Sequence, residues 1–346
     1  MRLAACALAM LVLVGCRTVE SGASLQRFEF QQPHMGTLFR LTLFATNAAS
    51  AQAAAQAASV RVEELSALMT DYDPESELMR LSRAPTNQPV AVSPELFRVL
   101  VFAQRMAFLS GGAFDITVGP YVRHWRRARR TGQLPSPEAL TRAAQSVGWT
   151  KLVLDPGPRT ATLLAPNMQL DLGGISKGWA ADAALQTLRE HGCARAMVAA
   201  SGDIAVGDSP PGARGWRVGL GLPGAPDTAT ARQLLLRNAA VSTSGDTEQF
   251  LEVDGVRYSH ILDPRTGLGL TNLMQASLIA PNASTTDPLA TAVCVLGWDQ
   301  GLALINRLPN VAALIILRTP ERRVILESPK FRDWLEPAAP PPPRSE

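Results

Sequence analysis

The segment Tyr258–Gly267 (YSHILDPRTG) places a histidine, an acid, an arginine and a threonine within a short stretch of chain. The residues around His260 are typical of a strand end, and Asp263-Pro264 indicates a turn, because the proline ring disfavours helix for the residue before it. We therefore expect His260 at a rigid strand end, where an imidazole can act as a base near neutral pH. A plain strand-to-loop junction with a solvated Arg265 explains the same residues.

A second polar and glycine-rich segment, Leu170–Gly178 (LDLGGISKG), leads from a short apolar strand through glycines into a helix. Backbone N–H groups of such a turn attract anions, and Lys177 adds a full positive charge. A lysine at a helix start opposes the helix dipole unless an anion is present, which favours a phosphate-binding turn. The segment is not the Walker pattern, and a strand-to-helix turn without a ligand is the alternative.

Residues 283–292 (ASTTDPLATA) predict a helix on which Asp287 and Thr291 share a face. A carboxylate, a hydroxyl and nearby carbonyl groups are oxygen ligands that suit magnesium. Helix capping by Thr286 or Asp287, with Pro288 in the first turn, explains the same residues, and both interpretations can hold at once. A phosphate-binding turn, a magnesium site and a histidine base together favour phosphoryl or nucleotidyl transfer.

The composition narrows the class of protein. A chain of 346 residues with 46% hydrophobic residues can build one large or two joined globular domains. Charged residues make up 18% and aromatic residues 5%, and the net charge is +3. The net positive charge and the aromatic content are both lower than expected of a protein that binds nucleic acid, so we expect no nucleic-acid partner.

The amino terminus has the pattern of an exported lipoprotein. An apolar run over residues 3–14 follows Arg2 and is too short to span a membrane as a helix, but it fits a secretory signal. Its end, Leu13–Cys16 (LVGC), resembles the bacterial lipobox, which implies cleavage before Cys16 and a diacylglyceryl group on its sulfur. Arg17, in place of an aspartate, favours the outer membrane under the bacterial sorting pattern. An ordinary signal peptide with an incidental cysteine is the alternative.

These features predict four parts of the chain: a signal peptide over 1–15, a lipidated polar tether over 16–27, one globular domain over 28–336, and a disordered proline-rich tail over 337–346. We expect the mature protein to face the periplasm on a lipid anchor in the bacterial cell envelope. Cys193 and Cys294 lie in apolar surroundings, so buried thiols are expected, and their spacing matches no metal site.

Periodicity and capping residues predict the elements that must position these segments. Helices are expected over 48–69, 76–81, 93–110, from 137 onward, over 179–191 and over 302–308. Strands are expected over 37–43, 194–200, 216–222, 239–243, 250–253, 256–258, 274–279, 312–317 and 322–326, with a hairpin over 153–164.

Three further segments admit two interpretations each. Met35 could cover an apolar ring beside Gly36, or both could form a turn before an edge strand. The segment through Pro120 and Trp125 is interpreted as a loop. The basic cluster Arg126–Arg130 is expected to be a solvated helix face, with anionic lipid headgroups as the alternative.

Seven segments of the chain, taken in order, resemble the ApbE family, the FAD:protein FMN transferases. The similarity covers roughly residues 28 to 330, and no single segment is specific without the others. The matching segments are Met35–Thr37, the turn at Tyr72, 111–120 (GGAFDITVGP), 170–178 (LDLGGISKG), 242–246 (STSGD), 259–267 (SHILDPRTG) and 287–292 (DPLATA).

The resemblance implies an α+β fold of mostly antiparallel sheets flanked by helices, with the active site between two halves of one large domain. It implies a magnesium-dependent enzyme that transfers FMN from FAD to a threonine or serine of an exported acceptor protein and releases AMP. By position it implies FAD contacts at Met35, Tyr72, Ala113, Phe114, Asp115, Asp171, Lys177 and Ile261, magnesium ligands at Gly174 (through its carbonyl), Asp287 and Thr291, and His260 as the base.

The chain departs from the family pattern in three places. Ser201-Gly202-Asp203 replaces the commoner Gly-Gly-acid, Ser176 replaces a common alanine, and 126–130 lacks the Gly-Phe-Gly often seen after the tryptophan. Two other functions fit the same residues: a magnesium-dependent FAD pyrophosphatase and a periplasmic FAD-binding lipoprotein without turnover. Intact His260 and Asp287 count against the second of these.

Overall fold

A computed structural model describes residues 24–221, 230–245, 250–319 and 322–337. The predicted signal peptide, Cys16, most of the tether and the tail beyond residue 337 lie outside the described residues. The helices are α1 Ala48–Met69, α2 Glu77–Ser82, α3 Pro94–Leu109, α4 Gly119–Thr131, α5 Pro137–Ala144, α6 Ser176–Glu190 and α7 Ala283–Arg307. The strands are β1 Gln26–His34, β2 Thr37–Ala45, β3 Val90–Ala91, β4 Leu152–Asp155, β5 Thr160–Leu163, β6 Ala196–Ala200, β7 Asp203–Val206, β8 Trp216–Gly221, β9 Thr230–Leu236, β10 Ala239–Gly245, β11 Phe250–Val253, β12 Val256–Ser259, β13 Met274–Ala280, β14 Ala312–Arg318 and β15 Arg323–Glu327.

An eight-stranded antiparallel sheet organises the fold, in the order β1-β2-β6-β7-β10-β13-β14-β15. Every residue of β13 is buried, because both faces of the sheet are covered. Alternate residues of a strand point to opposite faces, and Leu278 packs in the large core with the helices while Ile279 packs in a second core with β8 and β9. The α+β fold with mostly antiparallel sheets is confirmed.

The hairpin β1–β2 corrects the interpretation of Met35 and Gly36 in one respect. Both residues have positive φ, 49° and 71°, and form the two-residue turn of the hairpin, with His34 paired to Thr37. Such turns suit the twist of the flanking strands. The predicted turn is therefore present, but β2 is not an edge strand, because it lies between β1 and β6. β1 itself was not predicted and begins at Gln26, inside the predicted tether.

The loop predicted around Pro120 and Trp125 is wrong, because this segment forms helix α4. Its buried residues Tyr121, Trp125 and Ala128 recur at helical spacing and pack in a small third core. Pro120 lies in the first turn, where its missing N–H costs nothing. Glycine and proline at the start of α4 are typical of a loop, and the many arginines make its apolar face difficult to recognise in the sequence.

The sequence allowed Thr286 or Asp287 as the cap of helix α7, but the helix begins about one turn earlier, at Ala283. Asn282 is its cap, and the Asn282 side chain accepts a hydrogen bond from the Thr285 N–H at 3.0 Å. Asp287 therefore lies inside the helix rather than at its cap. Gly297, with φ of 80°, interrupts α7, so the helix predicted over 302–308 is its second part.

The other predicted helices and strands agree closely with the structure, whereas strands β3, β7 and β9 were not predicted. Ser93 and Ser136 cap α3 and α5 as predicted, each accepting a hydrogen bond from a backbone N–H. The hairpin over 153–164 is present as β4 and β5. Cys193 and Cys294 are buried and neither forms a disulfide, which confirms the expected buried thiols.

Candidate active site

A single cavity of about 1130 Å³ collects residues from most of the segments singled out in the sequence. It lies between the large core, which contributes Phe114 and Leu172, and the small third core, which contributes Leu262. Every site residue predicted from the sequence lines it: Met35, Tyr72, Ala113, Phe114, Asp115, Asp171, Gly174, Lys177, His260, Ile261, Asp287 and Thr291.

His260 follows directly after β12 and lies exposed at the cavity wall. The flanking backbone is held by two hydrogen bonds: the Ser259 N–H donates to the Leu270 carbonyl at 2.7 Å, and the Leu270 N–H donates to the Ile261 carbonyl at 2.9 Å. The predicted strand-end position of His260 is therefore confirmed. Arg265 is not merely solvated, because its guanidinium pairs with Asp263 at 2.8 Å.

The turn after this segment is fastened to helix α4. Gly267 has φ of 71° and donates its N–H to the Asp263 carbonyl at 2.8 Å. The Trp125 indole N–H donates to the Gly267 carbonyl at 2.7 Å, and a Cβ at Gly267 would lie 2.5 Å from the Tyr121 ring. No side chain fits there, so α4 and this glycine together determine where the His260 segment lies.

The turn at 170–176 lies between the core and the start of α6. The Asp171 N–H donates to the Ile116 carbonyl at 2.8 Å, and the Asp171 carboxylate accepts a hydrogen bond from the Gly173 N–H at 2.8 Å. Burial, followed by the negative charge of Asp71, raises the pKa of Asp171. Helix α6 starts at Ser176, three residues earlier than predicted, which places Lys177 in its first turn.

Lys177 lies between two carboxylates of the protein. Its Nζ is 2.9 Å from Asp203 and 3.7 Å from Asp287, and Asp287 also accepts a hydrogen bond from the Gly178 N–H at 3.0 Å. Burial alone would lower the pKa of Lys177, but the charges of Asp287 and Asp203 outweigh it and raise the pKa. The anion that the helix dipole requires is thus supplied by the chain itself, so the dipole argument for a bound phosphate no longer holds by itself.

Asp287 is 3% exposed, and its pKa is raised by burial first and by the charge of Asp203 second. Two carboxylates share one ammonium here, so when both are ionised one negative charge is not balanced by Lys177. A divalent cation would offset that charge.

The donors that could hold such a cation are few and all oxygen. Asp287 and Thr291 lie one turn apart on α7 and both line the cavity. A Cβ on Gly174 would lie 3.6 Å from the Thr291 hydroxyl, so the Gly174 backbone is close to it. Among the described residues no three His, Cys, Asp or Glu side chains form a metal cluster. Such a sparse oxygen set fits magnesium, which keeps several waters and takes substrate phosphates as ligands.

Asp115 has a structural partner within its own loop. Its carboxylate accepts hydrogen bonds from the Thr117 N–H and hydroxyl, both at 2.7 Å, and burial raises its pKa. These bonds hold the loop that presents Ala113 and Phe114 to the cavity.

Among the charged residues that line the cavity, four were missed as site residues in the sequence: Asp71, Arg126, Arg129 and Asp203. Asp203 follows the tight turn between β6 and β7, where Ser201 has φ of 57°, and an acid directly after such a turn was the available signal. Arg126 was expected on a solvated face, which is wrong, because it is paired with Asp71 inside the cavity at 2.6 Å. No local pattern in the sequence separates Arg126 from its arginine neighbours.

The amino-acid sequence is similar to a family of known proteins. The model of the ApbE family matches residues 35–315. The chain is 32% identical over 328 residues to a FAD:protein FMN transferase of Treponema pallidum, covering 90% of each protein. It is 29% identical over 332 residues to one of Vibrio cholerae, covering 94% of this chain and 96% of the relative.

Solved structures give the same result. The flavin transferase ApbE from Vibrio cholerae superposes with a TM-score of 0.82 at 28% identity, covering 90% of this chain and all of the other. An ApbE protein from Thermotoga maritima superposes with a TM-score of 0.81 at 29% identity and the same coverage.

Proposed function

The chain belongs to the ApbE family, and on this premise we propose that it transfers FMN from FAD to a hydroxyl group of an acceptor protein. The hydroxyl is that of a threonine or serine of an exported protein. Its oxygen forms a bond to the phosphorus of the FMN half, the bond between that phosphorus and the bridging oxygen of the diphosphate breaks, and AMP leaves.

One observation carries the proposal: Gly174, His260 and the pair Asp287 and Thr291, from three separate segments of the chain, line one cavity. Its volume of about 1130 Å³ exceeds the roughly 300–1,000 Å³ of most small-molecule sites. This volume supports the binding of a ligand as large as a dinucleotide.

His260 is the residue that accepts the proton of the attacking hydroxyl. An unperturbed imidazole titrates near neutral pH, so it can take a proton and release it again. Its exposed position at the cavity wall makes it accessible to a side chain of another protein. Met35, Tyr72, Phe114, Asp171 and the other predicted contacts would bind FAD.

Asp287, Thr291 and the Gly174 carbonyl would hold magnesium. When bound, the ion would neutralise diphosphate charge and stabilise the charge that develops on the oxygens in the transition state. Lys177 lies 3.7 Å from the Asp287 carboxylate and 2.9 Å from that of Asp203, so its ammonium group links the two.

A magnesium-dependent FAD pyrophosphatase is the second candidate, because the exposure of His260 also admits water. Incubation of the purified protein with FAD, magnesium and a threonine-bearing exported acceptor separates the functions. Covalent flavin on the acceptor supports transfer, and an acceptor with that threonine changed to alanine is the control. Free FMN and AMP without labelled acceptor would indicate the pyrophosphatase, and unchanged FAD would indicate a binding protein.

The location of the protein follows from its amino terminus. We propose that Cys16 carries a diacylglyceryl group and anchors the protein to the cell envelope, facing the periplasm, where an exported acceptor is available. The apolar run over residues 3–14 and the lipobox-like Leu13–Cys16 support this location. Metabolic labelling with a radioactive fatty acid should mark the wild-type protein and not Cys16→Ala; equal labelling would contradict the anchor.

A further inference from the structure

Arg126 links two loops across the cavity. Its guanidinium is 2.6 Å from the Asp71 carboxylate and 3.7 Å from the Asp171 carboxylate. The side chain is 26% exposed, whereas Arg127 and Arg130 on the same helix are exposed.

The same guanidinium supports the ring of Tyr72. The central carbon of Arg126 lies 4.2 Å from the centre of the Tyr72 ring, a distance at which a cation and an aromatic face attract. Tyr72 is 78% exposed and lies on the loop that follows α1. An exposed ring on a loop samples many orientations unless a contact restricts it, and Arg126 provides that contact.

The positive charge of Arg126 also affects the ionisation of Asp171. The side chains of Asp71 and Asp171 are 10% and 12% exposed, and the negative charge of Asp71 acts on Asp171. Arg126 opposes that repulsion, because its positive charge favours the ionised form of Asp171. Without Arg126, the negative charge of Asp71 would act on Asp171 without the positive charge that now opposes it.

We infer that Arg126 is a positioning residue for FAD binding, which holds Asp171 and one face of the Tyr72 ring so that the other face is presented to the substrate. The inference rests on the proposed function, since Tyr72 and Asp171 are taken there as FAD contacts. It adds a specific role for a residue outside the predicted site.

Affinity for FAD, measured by quenching of flavin fluorescence in the presence of magnesium and without acceptor, tests the inference. Arg126→Gln should weaken binding on the order of tenfold, as for the loss of one coupled contact. The rate of transfer at saturating FAD should change much less. Arg126→Lys should recover part of the affinity, because it restores the charge but not the planar contact with Tyr72. Arg127→Gln, an exposed neighbour, should bind FAD as the wild type does.

The double variant Arg126→Gln with Asp71→Asn gives the sharpest result. Removing the Asp71 charge relieves the repulsion on Asp171, so the double variant should bind FAD more tightly than Arg126→Gln alone. Wild-type affinity in Arg126→Gln, or losses that simply add in the double variant, would overturn the positioning role. Wild-type protein that binds FAD without labelling any acceptor would contradict the transferase and leave the role of Arg126 standing.

Discussion

His260 is positioned by residues outside its own strand. Trp125 and Tyr121 of α4 contact Gly267, and the backbone from Ser259 to Leu270 folds back on itself. The proposed role of His260, as a base for a hydroxyl of another protein, would require both this rigidity and its exposure at the cavity wall.

Replacement of His260 by alanine should separate binding from chemistry. His260→Ala should keep the affinity for FAD, since the ring lies at the exposed wall, and lose about 10²- to 10⁴-fold in the rate of transfer, the usual contribution of a general base. Fluorescence titration and acceptor labelling measure the two quantities. Glu252→Ala, exposed on the neighbouring strand β11, is the matched control. Transfer at the wild-type rate would reject His260 as the base.

Close contact between helices α6 and α7 positions Asp287 and Thr291, the two side chains proposed to hold magnesium. A Cβ on Gly178 would lie 2.3 Å from the Ala283 carbonyl oxygen and 2.8 Å from the Asp287 Cβ, so only glycine permits this approach. Asp182 of α6 accepts hydrogen bonds from the N–H groups of Ala283 and Ser284, both at 2.8 Å. The start of α7, and with it Asp287, is therefore fastened to α6.

Asp182→Ala should lower the stability of the folded protein more than Asp182→Asn does. Asp182→Ala leaves two backbone N–H groups at the start of α7 without their acceptor and should lower the free energy of unfolding by about 1–3 kcal/mol. Asp182→Asn keeps one acceptor oxygen and should lose less. Chemical denaturation measures both, with Gln186→Ala on the exposed face of α6 as the control. A loss in Asp182→Ala no larger than in the control would contradict the capping role.

The folded molecule concentrates negative charge where a cation would bind. Asp203 and Asp287 come from β7 and α7, and one lysine stands between them. Since the unfolded chain lacks this arrangement, a bound cation stabilises the folded state alone.

Magnesium should therefore raise the melting temperature. At about 100 times the dissociation constant the expected stabilisation is about 2.7 kcal/mol, which corresponds to several degrees for a domain of this size. Chelation should reverse the shift, and Asp287→Asn should abolish it.

The shift in melting temperature should also depend on pH. Burial and the charge of Asp203 raise the pKa of Asp287. Because magnesium requires the ionised carboxylate, the shift should be full above that pKa and should shrink as the pH falls through it. A shift of equal size in Asp287→Asn would reject Asp287 as a ligand.

Much of the architecture was readable from local pattern, because helix caps, alternation and turns depend on neighbours along the chain. Ser93, Ser136 and the hairpin at 153–164 are examples. Helix α4 was not predicted, because its apolar residues Tyr121, Trp125 and Ala128 are interspersed with arginines. Their packing in the third core is visible only in the tertiary structure.

The amino-acid sequence was enough to identify segments that line the cavity, because their order along the chain resembles one family, although no single segment is specific by itself. The pairing of charges was decided by the tertiary structure alone. Lys177 faces Asp203 and Asp287, and Arg126 faces Asp71, across distances in the chain that no local pattern spans. Electrostatic partners depend on separation in space and on exclusion of water, and both exist only once the sheet, α4 and α7 have packed.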